Sequence, residues 1–488
     1  MFAILWLAGA LIRFCLFLSP KSLWESEWFS IEMARNNVWQ IIAQNAVDVH
    51  PPLYFLVLHA FIQSLGFHEW VFRLPSLLAG VATIAAVYLA ASEIFDKKTA
   101  QWTIYFTAIA PFFVHLSQEI RSHGFTLLFC SFGTFFFWKS WKNPAQKKWG
   151  WAYVAVSAVA LYTVHFAWFW LFGILLFHGL NFKKNPAFRK IATFQATLFG
   201  LALPTIALLI YQTVQGHELT AGYEGLAGYS VLTIVKESLI VYWHFINGPE
   251  FYMHWSSLVT HFLKTSPLFW LSVISFFTAI ALIFKELSKL KKQNESPEHL
   301  SAFFTITCFA PVLVMALVSP GRLEPKYFGF AAPFLWMLIS KNLAETKSRF
   351  YALAVAGLFS VVLLHGDLFM IRLPTDPVYR ENYLEMSKYV LKNSEKDDAI
   401  RDVGIFGYYR EKMGTRPQGS LVGDFEISKE EARQYRRFWL LNGEMTDSSV
   451  FEAISAKMKQ NGFEPDGKEI IFGDTGSRAI LNLFKRND

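Results

Sequence analysis

The chain has 488 residues, of which 53% are hydrophobic, 17% aromatic and only 17% charged, with a mean hydropathy of +0.30; that balance excludes an ordinary soluble protein. Its three cysteines, Cys15, Cys130 and Cys308, all lie in apolar runs, which excludes a disulfide framework and a paired-cysteine metal site. The formal charge of +7 does not point to nucleic acid, because the basic residues of a membrane protein gather in cytoplasmic loops for topological reasons.

The apolar residues fall in runs of roughly 15–20, about the length that spans a bilayer as a helix. In chain order the expected spans are about 2–20, 74–95, 101–117, 122–141, 149–163, 165–180, 191–212, 267–284, 300–319, 328–340 and 350–371. The first run lacks a basic leading segment and a small-residue cleavage site, so it reads as a retained helix rather than a signal peptide. A shorter run, 52–65, follows Pro51-Pro52 and reads as lying in the interface plane. If it does not cross, the loops predicted inside hold Lys97, Lys98, Lys142, Lys147, Lys148, Lys183, Lys184, Arg189, Lys190, Lys285, Lys289, Lys291, Lys292, Lys341, Lys347 and Arg349. The loops predicted outside then hold far fewer basic residues, and letting 52–65 cross would reverse the bias. The expected architecture is therefore an all-α polytopic membrane domain over 1–372, with about eleven spans, the N-terminus inside, and outer loops 21–73 and 213–266.

From about Leu373 the chain turns charged and reads as a soluble domain, 373–488, on the outer side. Tyr383–Leu391 has helical spacing, whereas Arg437–Leu441 and Ile470–Phe472 look like strands, so a small α/β domain is predicted.

Four outer segments carry groups with chemistry in them. Trp24-Glu25-Ser26-Glu27-Trp28 places two carboxylates beside tryptophans at the membrane surface. A sugar hydroxyl is a poor nucleophile near neutral pH, so a transferase needs a carboxylate placed to take its proton; the plain alternative is a juxtamembrane loop with an aromatic belt. Asp48-Val49-His50-Pro51-Pro52 precedes a helix start, where anions are favoured, and could equally be only a cap. Ser117-Gln118-Glu119-Ile120-Arg121 fills a very short turn, where ionisable groups face protein or a wet cavity, or Glu119 and Arg121 simply pair. Arg322-Leu323-Glu324-Pro325-Lys326-Tyr327 offers cations for a departing phosphate, or basic side chains snorkelling to headgroups. His115, His123 and His165 lie near the same face, and helix-end hydrogen bonding is the expected role. No HExxH, GxGxxG or Walker pattern occurs, so neither a metal site nor a soluble nucleotide donor has motif support.

With those residues in view, the chain resembles the GT-C membrane glycosyltransferases of the glycosyltransferase-39-like type, which include protein O-mannosyltransferases, lipid A aminoarabinose transferases and rhizobial lipopolysaccharide galacturonosyltransferases. The resemblance covers roughly 20–340. It rests on Leu23-Trp24 and Glu27, the Asp48–Tyr54 segment, Phe72-Arg73-Leu74-Pro75-Ser76, the Ser117–Arg121 turn and Lys326-Tyr327. It implies inverting transfer from a polyprenyl-phosphate sugar to a lipid or protein acceptor on the periplasmic side of a bacterial inner membrane. It makes Glu27 or Glu25 the catalytic carboxylate and gives Asp48, His50, Glu119, Arg121, Arg322 and Lys326 substrate-binding roles. The frame sets Ser26 where the family carries Asp, and Lys326 where it usually carries Arg, which keeps the charge but loses the bidentate fork. A divalent metal stays open as a cofactor. Two other readings also stay open: an impaired relative acting as a scaffold, and a lipid-linked saccharide transporter.

Overall fold

The computed structural model describes residues 1–18, 21–48, 50–181, 188–219, 230–248, 267–292, 300–318, 323–372, 382–401, 403–422, 429–443, 455–474 and 477–486. The chain divides into two compact units: a helical unit of Met1–Leu18 with Met33–Met370, and a sheet unit of Ser19–Glu32 with Ile371–Asp488. The segment 19–32, at the start of the expected first outer loop, thus packs with the C-terminal residues.

Among the described residues, five helices of the helical unit are long and apolar enough to cross a membrane: Glu69–Ile94, Phe188–Val214, Pro267–Lys291, Leu300–Val318 and Arg349–Leu368. Phe2–Phe17, Leu53–Leu65 and Ala167–Leu180 are shorter apolar helices. The expected span 101–117 is broken. The helix Lys97–Ile109 stops at Ala110, whose ψ of 121° is extended, and a short helix Pro111–Leu116 follows. Pro111 accounts for the break, since a proline disfavours helical geometry in the residue before it and has no N–H to give. Within the expected 213–266 loop the chain forms the helix Val231–Asn247, whose Val241, Phe245 and Ile246 are buried. Lys236 and Glu237 interrupt its apolar pattern, which is why it does not read as a span.

The core is aromatic. Phe106 stacks on Trp336 with ring centroids 4.7 Å apart, and Trp138 stacks on Phe177 at 4.9 Å. Two buried indole edges are satisfied inside: the Trp336 N–H donates to the Phe245 carbonyl at 3.0 Å, and Trp170 donates to Thr134 Oγ1 at 2.9 Å. Two of the basic residues that charge bias assigns inside, Lys341 and Lys289, are tied together through Glu345. Lys341 reaches Asp96 at 3.0 Å and Glu345 at 3.2 Å, and Lys289 reaches Glu286 at 3.2 Å and Glu345 at 3.0 Å.

Among the described residues the sheet unit has five strands, β1 (Asp398–Arg401), β2 (Ser420–Val422), β3 (Arg437–Gly443), β4 (Phe463–Asp474) and β5 (Ser477–Arg486), in the order β2-β1-β3-β5-β4. β1 runs parallel to β2 and β3, while β5 is antiparallel to β3 and β4. The helix Tyr383–Asn393, capped by Asn382 accepting from the Glu385 amide, matches the expected helix, and β3 and β4 contain both expected strands. Asp398 is the polar anchor of this sheet. It receives Arg437 through Nε at 2.7 Å and Nη2 at 2.8 Å, and Trp439 Nε1 at 2.7 Å.

Candidate functional site

In the helical unit the broken helix delivers the turn 117–122, and the 3-10 helix Pro325–Ala331 delivers Lys326 and Tyr327. Glu119 is 1% exposed, and its Oε1 lies 3.1 Å from His115 Nε2. Its Oε2 accepts no hydrogen bond among the described residues. Burial pushes this carboxyl upward, but His115, His123 and Lys326 outweigh it, and Glu119 stays well below the usual carboxylate range.

Arg121 Nη2 lies 3.0 Å from His50 Nε2, and His50 Nδ1 lies 2.9 Å from Asp48 Oδ2. A guanidinium can only donate, so Nε2 is the acceptor, and the imidazole proton sits on Nδ1, facing Asp48. Burial first, then the Arg121 charge, lower the His50 pKa, and Asp48 opposes them. The ring is therefore held neutral between a fixed cation and a fixed anion. Gln212 clamps the backbone of this segment, donating to the Asn45 carbonyl at 2.5 Å and the His50 carbonyl at 3.2 Å. Its own Oε1 accepts from His165 Nε2 at 2.7 Å.

Lys326 pairs with Glu324 and sits 5.6 Å from the Tyr327 ring centroid. Burial lowers its pKa, but Glu324, Tyr327 and Glu119 together raise it above the ordinary lysine value, so it stays charged. Tyr327 stacks on Phe166 with centroids 5.1 Å apart and meets His123 edge-on at 5.6 Å. His123 is 2% exposed, and neither ring nitrogen has a hydrogen-bond partner among the described residues.

The structure thus links Asp48, His50 and Arg121 directly, and couples Glu119 and Lys326 electrostatically. Glu119 bonds His115 and Arg121 bonds His50, where simple Glu119–Arg121 pairing was the plain alternative. His165 makes the expected helix-end hydrogen bond; His123 makes none among the described residues, and that expectation is corrected. Arg322 lies outside the described residues.

Glu25 and Glu27 belong to the sheet unit, in the first turn of the helix Glu25–Arg35, where carboxylates are favoured. Glu27 is 1% exposed. Their segment is built into the C-terminal part: the Leu23 amide donates to Tyr409 Oη at 2.6 Å, the Leu384 amide donates to Ser22 Oγ at 3.3 Å, and Trp28 packs on Tyr408 at 5.5 Å. A Cβ on Gly404 would collide with Glu32 Oε1 and stand 2.7 Å from Trp28 Nε1, so the approach requires glycine there. Among the described residues no group of three or more His, Cys, Asp or Glu side chains is arranged to hold a metal ion.

Sequence reasoning missed Gln212 and Arg13. Nothing local distinguishes Gln212, but Arg13 is a charge inside an apolar run, a signal that the sequence itself carries.

The family model described as dolichyl-phosphate-mannose-protein mannosyltransferase matches residues 49–211, about a third of the chain. No curated protein matches the sequence. Among solved structures, ArnT from Cupriavidus metallidurans in the apo state superposes with a TM-score of 0.57 at 13% identity, over 98% of this chain and 97% of that one. The same protein bound to undecaprenyl phosphate gives 0.53 at 13% identity, with the same coverage. The oligosaccharyltransferase AglB from Archaeoglobus fulgidus, in complex with an inhibitory peptide and a dolichol-phosphate, gives 0.52 at 13% identity, over 99% of this chain and 74% of that one. At these identities the likeness is one of fold. The chain shares the GT-C fold of these membrane proteins, and its long apolar helices are those of a multi-pass membrane protein.

Proposed function

We propose that the protein transfers a sugar from a polyprenyl-phosphate donor to a lipid or protein acceptor on the outer face of a bacterial inner membrane. The observation that carries this reading is the charge arrangement at the outer turns. A buried carboxylate with one oxygen unused among the described residues, Glu119, shares one electrostatic neighbourhood with Lys326, which is partly buried and stays charged. The GT-C fold and the lipid phosphates bound by ArnT and AglB support the donor class.

In the proposed reaction the acceptor oxygen attacks the anomeric carbon as the bond from that carbon to the phosphate oxygen breaks. The acceptor proton passes to the carboxylate of Glu27 or Glu25, and the electron pair leaves on the lipid phosphate. A fixed cation close to a leaving phosphate lowers the barrier, because it needs no reorganisation as the charge develops; Lys326 and Arg121 take that role, and Arg322 is a further candidate. Asp48 and His50 orient Arg121, and Glu119 holds sugar hydroxyls through its free oxygen. A single displacement inverts the anomeric centre.

A transporter reading draws on Arg13 and Asp367, buried charges inside apolar helices. Arg13, however, spends its guanidinium on backbone carbonyls, which suits architecture rather than a moving substrate. The test is transfer from a defined polyprenyl-phosphate sugar by purified protein. Glu27→Gln, Glu25→Gln and the double variant are compared at equal fold content, and full activity in all three would remove both carboxylates from the mechanism.

A further inference from the structure

Arg13 lies on the first helix, Phe2–Phe17, and is fully buried. Its Nη1 donates to the Ala108 carbonyl at 2.9 Å and to the Gly9 carbonyl at 2.9 Å, and its Nη2 donates to the Thr107 carbonyl at 3.0 Å. Thr107 and Ala108 sit in the last turn of the helix that Pro111 interrupts. In an unbroken helix the residue four places on would serve Thr107, but that residue is Pro111, which has no N–H. The guanidinium therefore supplies the donors that the break removes. Asp367, buried on the helix Arg349–Arg372, is the anion that acts on its charge.

The same residue holds the turn beyond the break. Gln118 Nε2 donates to the Arg13 carbonyl at 3.1 Å and to Ser117 Oγ at 3.0 Å. Ser117 Oγ in turn donates to the Val114 carbonyl at 2.5 Å. The two helices meet closely enough for this only at glycine: a Cβ on Gly9 would stand 2.9 Å from Ala108 Cβ and 2.8 Å from Ile84 Cδ1.

We propose that Arg13 is a positioning residue: it stabilises the Pro111 break and, through Gln118, fixes the Ser117–Arg121 turn that carries Glu119 and Arg121. This rests on the proposed transferase site only for its functional consequence. The direct test is independent of activity: amide hydrogen exchange read by mass spectrometry on the full chain in detergent. Arg13→Met is expected to raise exchange over 105–121 by about ten-fold or more, leaving the helix Val231–Asn247 unchanged. Adding Pro111→Ala, which returns an N–H to the Thr107 carbonyl, is expected to reverse most of that rise. Arg13→Lys keeps the charge but cannot span two carbonyls in the same way, and it is expected to rescue less than Pro111→Ala does.

Gln118→Ala is expected to loosen 117–121 alone. Should Arg13→Met fail to fold, Arg13→Lys decides: raised exchange over 105–121 that Pro111→Ala reverses supports the proposal, and unchanged exchange overturns it. Unchanged exchange in Arg13→Met, a rise spread evenly over all helices, or failure of Pro111→Ala to restore protection would each overturn it. In a transfer assay, Arg13→Met should lower kcat with little change in KM. A loosened turn with transfer unchanged would count against the site reading and leave the role of Arg13 in the fold intact.

Discussion

Two buried carboxylates, Asp398 in the sheet unit and Glu119 in the helical unit, are each 1% exposed yet are used in opposite ways. Asp398 is saturated: Arg437 takes both oxygens, and Trp439 Nε1 and the Glu395 amide each reach Oδ2 at 2.7 Å. Every donor comes from residues that the sheet and its flanking helix bring together, so the lone pairs are spent on the fold. Glu119 has His115 on one oxygen and no hydrogen-bond donor among the described residues on the other, while a charged lysine from a distant part of the chain acts on it. An acceptor left unused inside a charged cluster is poor architecture and good chemistry, since each buried polar group without a partner costs about 1–3 kcal/mol. The difference separates a structural ion pair from a candidate site more sharply than burial alone does.

The largest effect is expected where saturation is broken. Asp398→Asn removes one partner of a buried ion pair and should cost about 3–5 kcal/mol of stability, measured by denaturant unfolding of the purified protein. The molecules that remain folded should transfer sugar at the normal rate. If they do not, Asp398 is more than an anchor and the contrast with Glu119 fails.

Next comes the cation. Lys326→Met should lower kcat by roughly 10²–10³-fold if it stabilises the leaving phosphate, whereas Lys326→Arg, which keeps the charge, should retain most of it. Equal losses in both variants would point to packing against Tyr327 instead. Glu119→Gln, losing a charged hydrogen bond to substrate worth about 1.5–3 kcal/mol, should reduce kcat/KM by one to two orders of magnitude, beyond what any loss of folded protein explains. A fall in melting temperature with kcat/KM intact would make Glu119 a second Asp398.

The smallest effect is in pH. The folded pKa of His50 lies below its ordinary 6.5, so the unfolded chain binds the extra proton. The stabilisation from keeping this ring neutral is complete above about pH 6.5, and it shrinks as pH falls through that value towards the folded one. Glu119 is also depressed, below its ordinary 4.5, so its contribution persists to lower pH and is lost only under more acidic conditions. Between pH 7.5 and 5 the wild type should lose stability with a slope no steeper than about 1.4 kcal/mol per pH unit from this group. His50→Gln should flatten that slope; an unchanged slope would show that another group sets it.

Much of the membrane bundle was legible because hydropathy reports burial in lipid directly: the long apolar runs became helices, and two of the basic residues assigned inside, Lys289 and Lys341, share Glu345. The helix Val231–Asn247 was hidden because Lys236 and Glu237 interrupt its apolar pattern. The segments 48–52, 117–121 and 325–327 stood out because ionisable residues beside apolar runs are costly without a purpose. Their wiring was not legible: which side chain His50 meets depends on how distant helices pack, and no local pattern encodes it. The same holds for the acidic segment around Glu27. Its bonds to Tyr409 and Leu384 join parts of the chain more than 360 residues apart, a pairing invisible to any window of sequence.

The proposed sugar transfer from a lipid phosphate, with Lys326 at the leaving group, can be tested in the cell envelope. Envelope glycans would be compared by mass spectrometry in a deletion strain complemented with wild type, Lys326→Met or Lys326→Arg, at matched expression. One sugar is expected to disappear on deletion, to return with wild type and with Lys326→Arg, and to stay absent with Lys326→Met. An unchanged glycan profile on deletion, or full restoration by Lys326→Met, would contradict it.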